Sequence, residues 1–249
     1  MIDNSGQWTS ISVGISHACG IRDGYLLCWG DDLFDQLGNG SAGDQDTPVQ
    51  IGLSDAWTHV SLGDYHSCGI NADNAYCWGY NSDGQVGTGS TSDQTAPVEV
   101  GSSGTWSDLT GGREHTCGID AGKLFCWGSD YFGQLGDGGT NSNRSLPVQI
   151  GTFTNWTSVE AGYFHTCGIA GGDLYCWGAD ISGSLGLGPD VNNQNIPMLV
   201  DSSKPWDGFA AGYAGSYAIA EGVLYCWGDN SSGQLGDGVH YGDVRYPLQ

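Results

Sequence analysis

Positive charge is scarce in this sequence: six Lys and Arg stand against 28 Asp and Glu, for a net charge of −22 at pH 7. Such a surface repels phosphate backbones and anionic headgroups, which disfavours nucleic acid and membrane surfaces as partners. No apolar run approaches the length of a bilayer span, so membrane insertion is not expected. Helical periodicity is missing as well, and 44 glycines are too many for long helices. The sequence also lacks a G-x-S-x-G elbow, a metal-ligand helix and a phosphate-binding loop followed by Lys-Ser/Thr, so neither an enzyme nor a cofactor is expected. What remains, 39% hydrophobic residues, suffices for a folded core and excludes a disordered acidic tail.

A repeat runs through the whole chain. Trp8, Trp57, Trp106, Trp156 and Trp206 recur at 49 or 50 residues, as do the cysteines of Cys-Trp-Gly at Cys28, Cys77, Cys126, Cys176 and Cys226. Gly38, Gly87, Gly136, Gly186 and Gly236 keep the same phase, and so do Pro48, Pro97, Pro147, Pro197 and Pro247. A fixed period of this size marks an array of one supersecondary unit. Short aromatic and β-branched segments alternate with Gly, Asn, Asp and Ser clusters, which predicts four strands per unit, around WTSIS, HACGI, YLLCW and TPVQI in the first. The expected organisation is one domain over 1–249, with repeats at 8–56, 57–105, 106–155, 156–205 and 206–249.

Counting back from the Asp23-Gly24 turn sets Cys19 opposite Cys28 in a non-hydrogen-bonded pair, where Cα atoms lie about 4.5 Å apart and a disulfide fits. The same count pairs Cys68 with Cys77, Cys117 with Cys126, and Cys167 with Cys176. The Ala72-Asp73 pair suits such a turn poorly, which predicts a different loop in the second unit. Four disulfides imply a secreted or cell-surface protein. Reduced core cysteines are the alternative, and a halophilic cytoplasm would account for the acidity but not for cysteines that face each other. In the fifth unit Tyr217 takes the first cysteine's place, so Cys226 is expected to be a buried free thiol, with Gly215 in place of histidine making room for the phenol; an intermolecular disulfide is the alternative.

The motifs HTCGIAGGDLYCWG at 165–178 and NSSGQLGDGV at 230–239, repeated along essentially the entire chain, resemble the regulator-of-chromosome-condensation repeat family. The resemblance implies an all-β propeller of four-stranded blades around a central channel. Family members commonly have seven repeats. Here Trp8 opens the first unit and Pro247-Leu248-Gln249 matches the end of the others, so five whole blades closing as a ring are expected. The resemblance also implies either guanine-nucleotide exchange on a nuclear GTPase with chromatin docking, or a secreted protein-binding module. The acidity and the paired cysteines favour the second.

Two sets of side chains invite a functional reading. His17, His66, His115 and His165 recur at one register, which points to a repeated hydrogen bond and not to a shared metal site. By contrast, the loops after Cys-Trp-Gly differ from unit to unit, and carry Leu33, Phe34, Tyr80, Tyr131, Phe132 and Ile181 where siblings have Ser or Asp. Apolar residues gathered on one rim would bind a protein partner or mediate self-association. The leading expectation is therefore a non-enzymatic extracellular interaction module, with a structural subunit of a filament or surface layer as the alternative. The turns GQLGDGG and GQLGDGV offer carboxylates to calcium without EF-hand or RTX spacing. Sequons at Asn39, Asn143, Asn155 and Asn230 would accept N-glycans in a eukaryotic secretory pathway.

Overall fold

Each unit folds as the alternation of its residues requires. In the first, strands Trp8–Val13, His17–Arg22, Tyr25–Gly30 and Gln45–Gln50 pair in sequence order as one antiparallel sheet. Four more sheets of identical topology begin at Trp57, Trp106, Trp156 and Trp206, giving five propeller blades. The computed structural model describes residues 6–249 apart from 42, 102–103, 140, 190 and 239–241. Among the described residues the sole helical element is a 3₁₀ turn at Ile181–Gly183.

The central hairpin of each blade has the register counted from its turn. Asp23 and Gly24 both have positive φ, of 52° and 84°, and Cys19 stands opposite Cys28. The loop at Ala72-Asp73 does not differ, contrary to expectation. Both residues adopt positive φ, 47° and 66°, and Cys68 still faces Cys77. The hairpin around it imposes a conformation that these side chains disfavour in isolation. Disulfides join Cys19–Cys28, Cys68–Cys77, Cys117–Cys126 and Cys167–Cys176, each across a Cα–Cα distance of 4.1 Å. Cys226 is free and faces Tyr217.

One junction design joins successive blades. The disulfide face of blade 1, with Ile21, Leu26 and Leu37, buries Trp57, Val60 and Trp78 of blade 2. Equivalent clusters join blades 2 to 3, 3 to 4 and 4 to 5. The glycine of each H-x-C-G strand is occupied by the blade's own opening tryptophan: a Cβ on Gly20 would meet Trp8 Cζ3 at 2.7 Å.

Buried polar groups at the junction are paired in the same repeating way. The indole N–H of Trp78 donates to the Gln36 carbonyl at 3.0 Å, and the Ser67 hydroxyl donates to the same oxygen at 2.6 Å. Since that hydroxyl gives its one proton to Gln36, the 3.0 Å contact from His17 Nε2 is an N–H donated to Ser67 Oγ. His66 meets Thr116, His115 meets Thr166 and His165 meets Ser216 in the same fashion, at 2.9–3.0 Å. The recurring histidines thus perform a repeated hydrogen-bonding role. Burial lowers their pKa values to about 4 for His17 and His165 and about 3 for His66 and His115. Protonation would place a charge on Nδ1, which in His17, His66 and His115 is buried with no partner.

Among the described residues a fifth junction, from blade 5 back to blade 1, is not formed, so the expected ring closure is not seen there. On blade 1, Ile11 and Val13 are 67% and 69% exposed, whereas their blade-2 counterparts Val60 and Leu62 are 3% and 5% exposed. On blade 5, Ile219 and Leu224 are 46% and 55% exposed, where Ile21 and Leu26 are fully covered. Gly38, Gly87, Gly136 and Gly186 each lie against the next blade's tryptophan, but a Cβ on Gly236 would meet nothing within 4 Å. The polar pair is absent on both sides, since blade 5 has Gly215 for the histidine and blade 1 has Ala18 for the hydroxyl.

Candidate protein-binding rim

Two families of loops share one end of the blades. In the first, a two-residue turn links the first and second strands, closed by the amide of Gly14, Gly63, Gly112, Gly162 or Gly212 donating three residues ahead at 2.8–2.9 Å. The scaffold repeats, but its central pairs are Ile15-Ser16, Asp64-Tyr65, Arg113-Glu114, Tyr163-Phe164 and Tyr213-Ala214. Ile15, Asp64, Arg113, Tyr163 and Tyr213 converge from all five blades on a basin of ≈ 260 Å³ at the mouth of the channel.

The second family follows Cys-Trp-Gly. Each loop is pinned by an Asp or Asn side chain accepting from the backbone amide five residues on: Asp32 from Leu37, Asn81 from Val86, Asp130 from Leu135, Asp180 from Leu185 and Asn230 from Leu235. On this fixed frame the variable residues do not each fold onto their own blade; the rings reach across junctions. Phe34 of blade 1 packs on Tyr65 and Tyr80 of blade 2, with centroids 5.2 and 4.9 Å apart. Phe132 of blade 3 packs on Tyr131 and on Phe164 of blade 4, both at 4.8 Å. From Phe164 the contacts continue to Tyr163 and then Tyr213, each at 4.5 Å. Leu33 and Tyr131 are exposed, Phe34, Tyr80 and Phe132 half-buried. Ile181, half-buried in the 3₁₀ turn, belongs to neither aromatic cluster.

Arg113 is set within the longer cluster. Its guanidinium lies 5.1 Å from the Tyr163 ring centroid and 5.2 Å from that of Phe164, the geometry of a cation–π contact. Glu114 and Asp64 flank it at 3.5 and 4.0 Å. Burial raises the Asp64 pKa to about 6 although Arg113 opposes the shift, and burial raises Glu114 as well. The rim therefore presents a continuous aromatic surface around one cation, with acidic groups beside it. Such a surface can bind apolar side chains and a basic group together. Loop comparison alone pointed to the second family and missed Asp64, Arg113, Tyr163, Phe164 and Tyr213, although the pair between glycine and histidine also differs in every unit.

Other expected sites fare unequally. Asn143 and Asn155 are exposed and Asn39 is half-buried. Asn230 is buried, with its amide donating to Asp237, so the fold has no room for a glycan there. The turn carboxylate Asp137 pairs with Arg144 at 2.7 Å, and among the described residues no group of three His, Cys, Asp or Glu is arranged for a metal ion.

The family model of the regulator of chromosome condensation (RCC1) repeat matches residues 23–70, 73–119, 121–169 and 171–219, and a second RCC1-repeat model matches 57–85. The chain belongs to the RCC1-repeat family. Among solved structures, human WBSCR16 is 20% identical and superposes with a TM-score of 0.88, over 97% of this chain and 66% of its own. Prp20p from Saccharomyces cerevisiae, described with its binding to Gsp1p and histones, is 18% identical with a TM-score of 0.61, over 97% and 76%. The ectodomain of the Arabidopsis thaliana receptor kinase ACR4 is 18% identical with a TM-score of 0.53, over 91% and 65%. At these identities the likeness is one of fold. A search of curated proteins returned no significant match. No helix among the described residues is long and apolar enough to cross a membrane.

Proposed function

We propose that this RCC1-repeat chain is a non-enzymatic, extracellular or cell-surface module that binds a protein partner through the rim of Arg113 and the surrounding rings. One observation carries the reading: identical loop frames, repeated five times, display side chains that are not repeated. A purely structural propeller needs the frame and has no use for a ring cluster spanning blades 3 to 5. Net charge steers the choice of partner, since 22 excess negative charges speed encounter with a basic surface. The four disulfides support an oxidising compartment. Nucleotide exchange has only the family likeness behind it.

Affinity capture from extracellular fluid of the source, with the wild-type chain and Arg113→Ala immobilised in parallel, tests the proposal. A protein retained by the first and lost from the second is expected; equal retention on both contradicts it. Stacking of propellers through the same loops is the competing reading, and would appear as a change of oligomeric state in the same variant.

A further inference from the structure

We infer that a second pocket of the rim receives an arginine side chain of the protein partner, an assignment that rests on the rim being the binding surface. The pocket measures ≈ 350 Å³ and shares Arg113 with the basin at the channel mouth. Three blades build it: Asp83 comes from blade 2, Glu114, Tyr131, Phe132 and Asn141 from blade 3, and Phe164 from blade 4. Its wall is aromatic. Phe132 meets Tyr131 on one side and Phe164 on the other, with centroids 4.8 Å away and interplanar angles of 80° and 60°. Rings set at such angles leave faces open to a further group, and Tyr131 is 63% exposed.

Two carboxylates stand at this wall with too little positive charge to match them. Asp83 accepts from the side-chain amide of Asn143 at 2.5 Å, a neutral donor. The Glu114 carboxylate accepts no hydrogen bond among the described residues and faces Arg113 Nη2 at 3.5 Å. Arg113 is itself shared with Asp64 at 4.0 Å. One guanidinium thus stands against Asp64, Asp83 and Glu114, in a chain whose net charge is already −22. Burial and the neighbouring charge of Asp83 hold the Glu114 carboxyl above its usual range, although Arg113 opposes them. A cation set between the two carboxylates would relieve that repulsion.

Arginine is the occupant that suits the wall and the charge together. Its guanidinium is flat, weakly hydrated and always charged, so it can stack on a ring while its edge donates to carboxylates. The rim shows this behaviour within the chain: Arg113 lies 5.2 Å from the Phe164 centroid and pairs with Glu114. An ammonium is more strongly hydrated and has no flat face, so lysine gains less from the rings. An acidic or purely apolar side chain would leave Asp83 and Glu114 uncompensated. The volume suits one long side chain reaching in from a partner's surface, and arginine packed among aromatic rings is a common anchor of protein interfaces.

The test titrates N-acetylarginine amide, N-acetyllysine amide and N-acetylcitrulline amide into the 249-residue chain. Binding is read by NMR from the Asn141 side-chain amide and the Tyr131 and Phe132 rings. Saturable shifts are expected with the arginine probe, severalfold weaker binding with lysine, and roughly tenfold weaker binding with citrulline, which keeps the shape and lacks the charge. Asp83→Asn/Glu114→Gln should weaken the arginine probe by roughly tenfold. No saturable shift, equal binding of arginine and citrulline, tighter binding of lysine, or indifference to the double variant would each overturn the inference. Should the double variant not fold, Tyr131→Ala decides, since that ring is largely exposed: severalfold weaker arginine binding supports the pocket and unchanged binding overturns it. Retention of the captured partner separates this pocket from the rim as a whole. Loss on both Arg113→Ala and Asp83→Asn/Glu114→Gln supports both. Loss on Arg113→Ala alone overturns the arginine pocket and leaves the rim as the binding surface, whereas equal retention by all three chains overturns the rim and the pocket with it.

Discussion

Tyr217 replaces a cysteine and does three things at once. It stands opposite Cys226 in the hairpin register, and its hydroxyl reaches the Gln234 carbonyl. It also fills the volume that histidine takes in the sibling blades: a Cβ on Gly215 would meet the phenol oxygen at 3.3 Å. The large residue is accommodated because its neighbour became small. Burial raises the pKa of the Cys226 thiol, which keeps it protonated and unreactive relative to an exposed cysteine. Because the register is unchanged, Tyr217→Cys should form a fifth disulfide. Thiol titration of the oxidised variant in denaturant should then find none, and two free thiols would show that this hairpin departs from the other four.

At the scale of the element, the hairpin carries the most information. Two turn residues with positive φ set the pairing, the pairing sets the cysteines opposite each other, and the alternation of faces sends them into the junction with the next blade. Intact-mass analysis after alkylation should report one free thiol before reduction and nine after it. Five or more before reduction would remove the support for an oxidising compartment. This hierarchy was legible in the sequence because every step is local. The contacts of Phe34 with Tyr65 and Tyr80, and of Phe132 with Phe164, were not legible: they join loops about 30 or more residues apart, and depend on how far one blade is rotated from the next. Comparison of units flagged Phe34 and Phe132 as displaced from the repeat without showing what they touch. The same comparison applied to the glycine–histidine turns would have found Arg113. Ring closure, by contrast, is a sum of small angles over five junctions, and the only local clues to its failure were Gly215 and Ala18.

The whole molecule is held by four copies of one buried neutral histidine contact, which makes its stability depend on pH. Their folded pKa values, about 3 to 4, lie below the ordinary value of 6.5. Their contribution is therefore intact above pH 6.5 and is lost as pH falls towards 3–4, where the unfolded chain binds more protons. Burial raises Glu160 to about 7 and Asp64 and Asp130 to about 6, so these carboxylates act in the opposite sense: the folded state loses stability as they ionise with rising pH. The histidines are the more deeply buried set and dominate the acid side. Tm should fall steadily from pH 6.5 to 4, and Glu160→Gln should raise Tm at pH 8 while leaving it unchanged at pH 4. A Tm that climbs on acidification would contradict the assignment of neutral histidines.

The division between a repeated frame that stabilises and an unrepeated rim that binds has one direct test: denaturant unfolding and partner binding measured together on Tyr131→Ser/Phe132→Ser. If the rings serve recognition, binding to the captured partner is lost while unfolding free energy changes by no more than about 1 kcal/mol. If unfolding free energy falls by roughly 3–5 kcal/mol per ring, or binding survives, the rings belong to the core and the rim is not the binding surface.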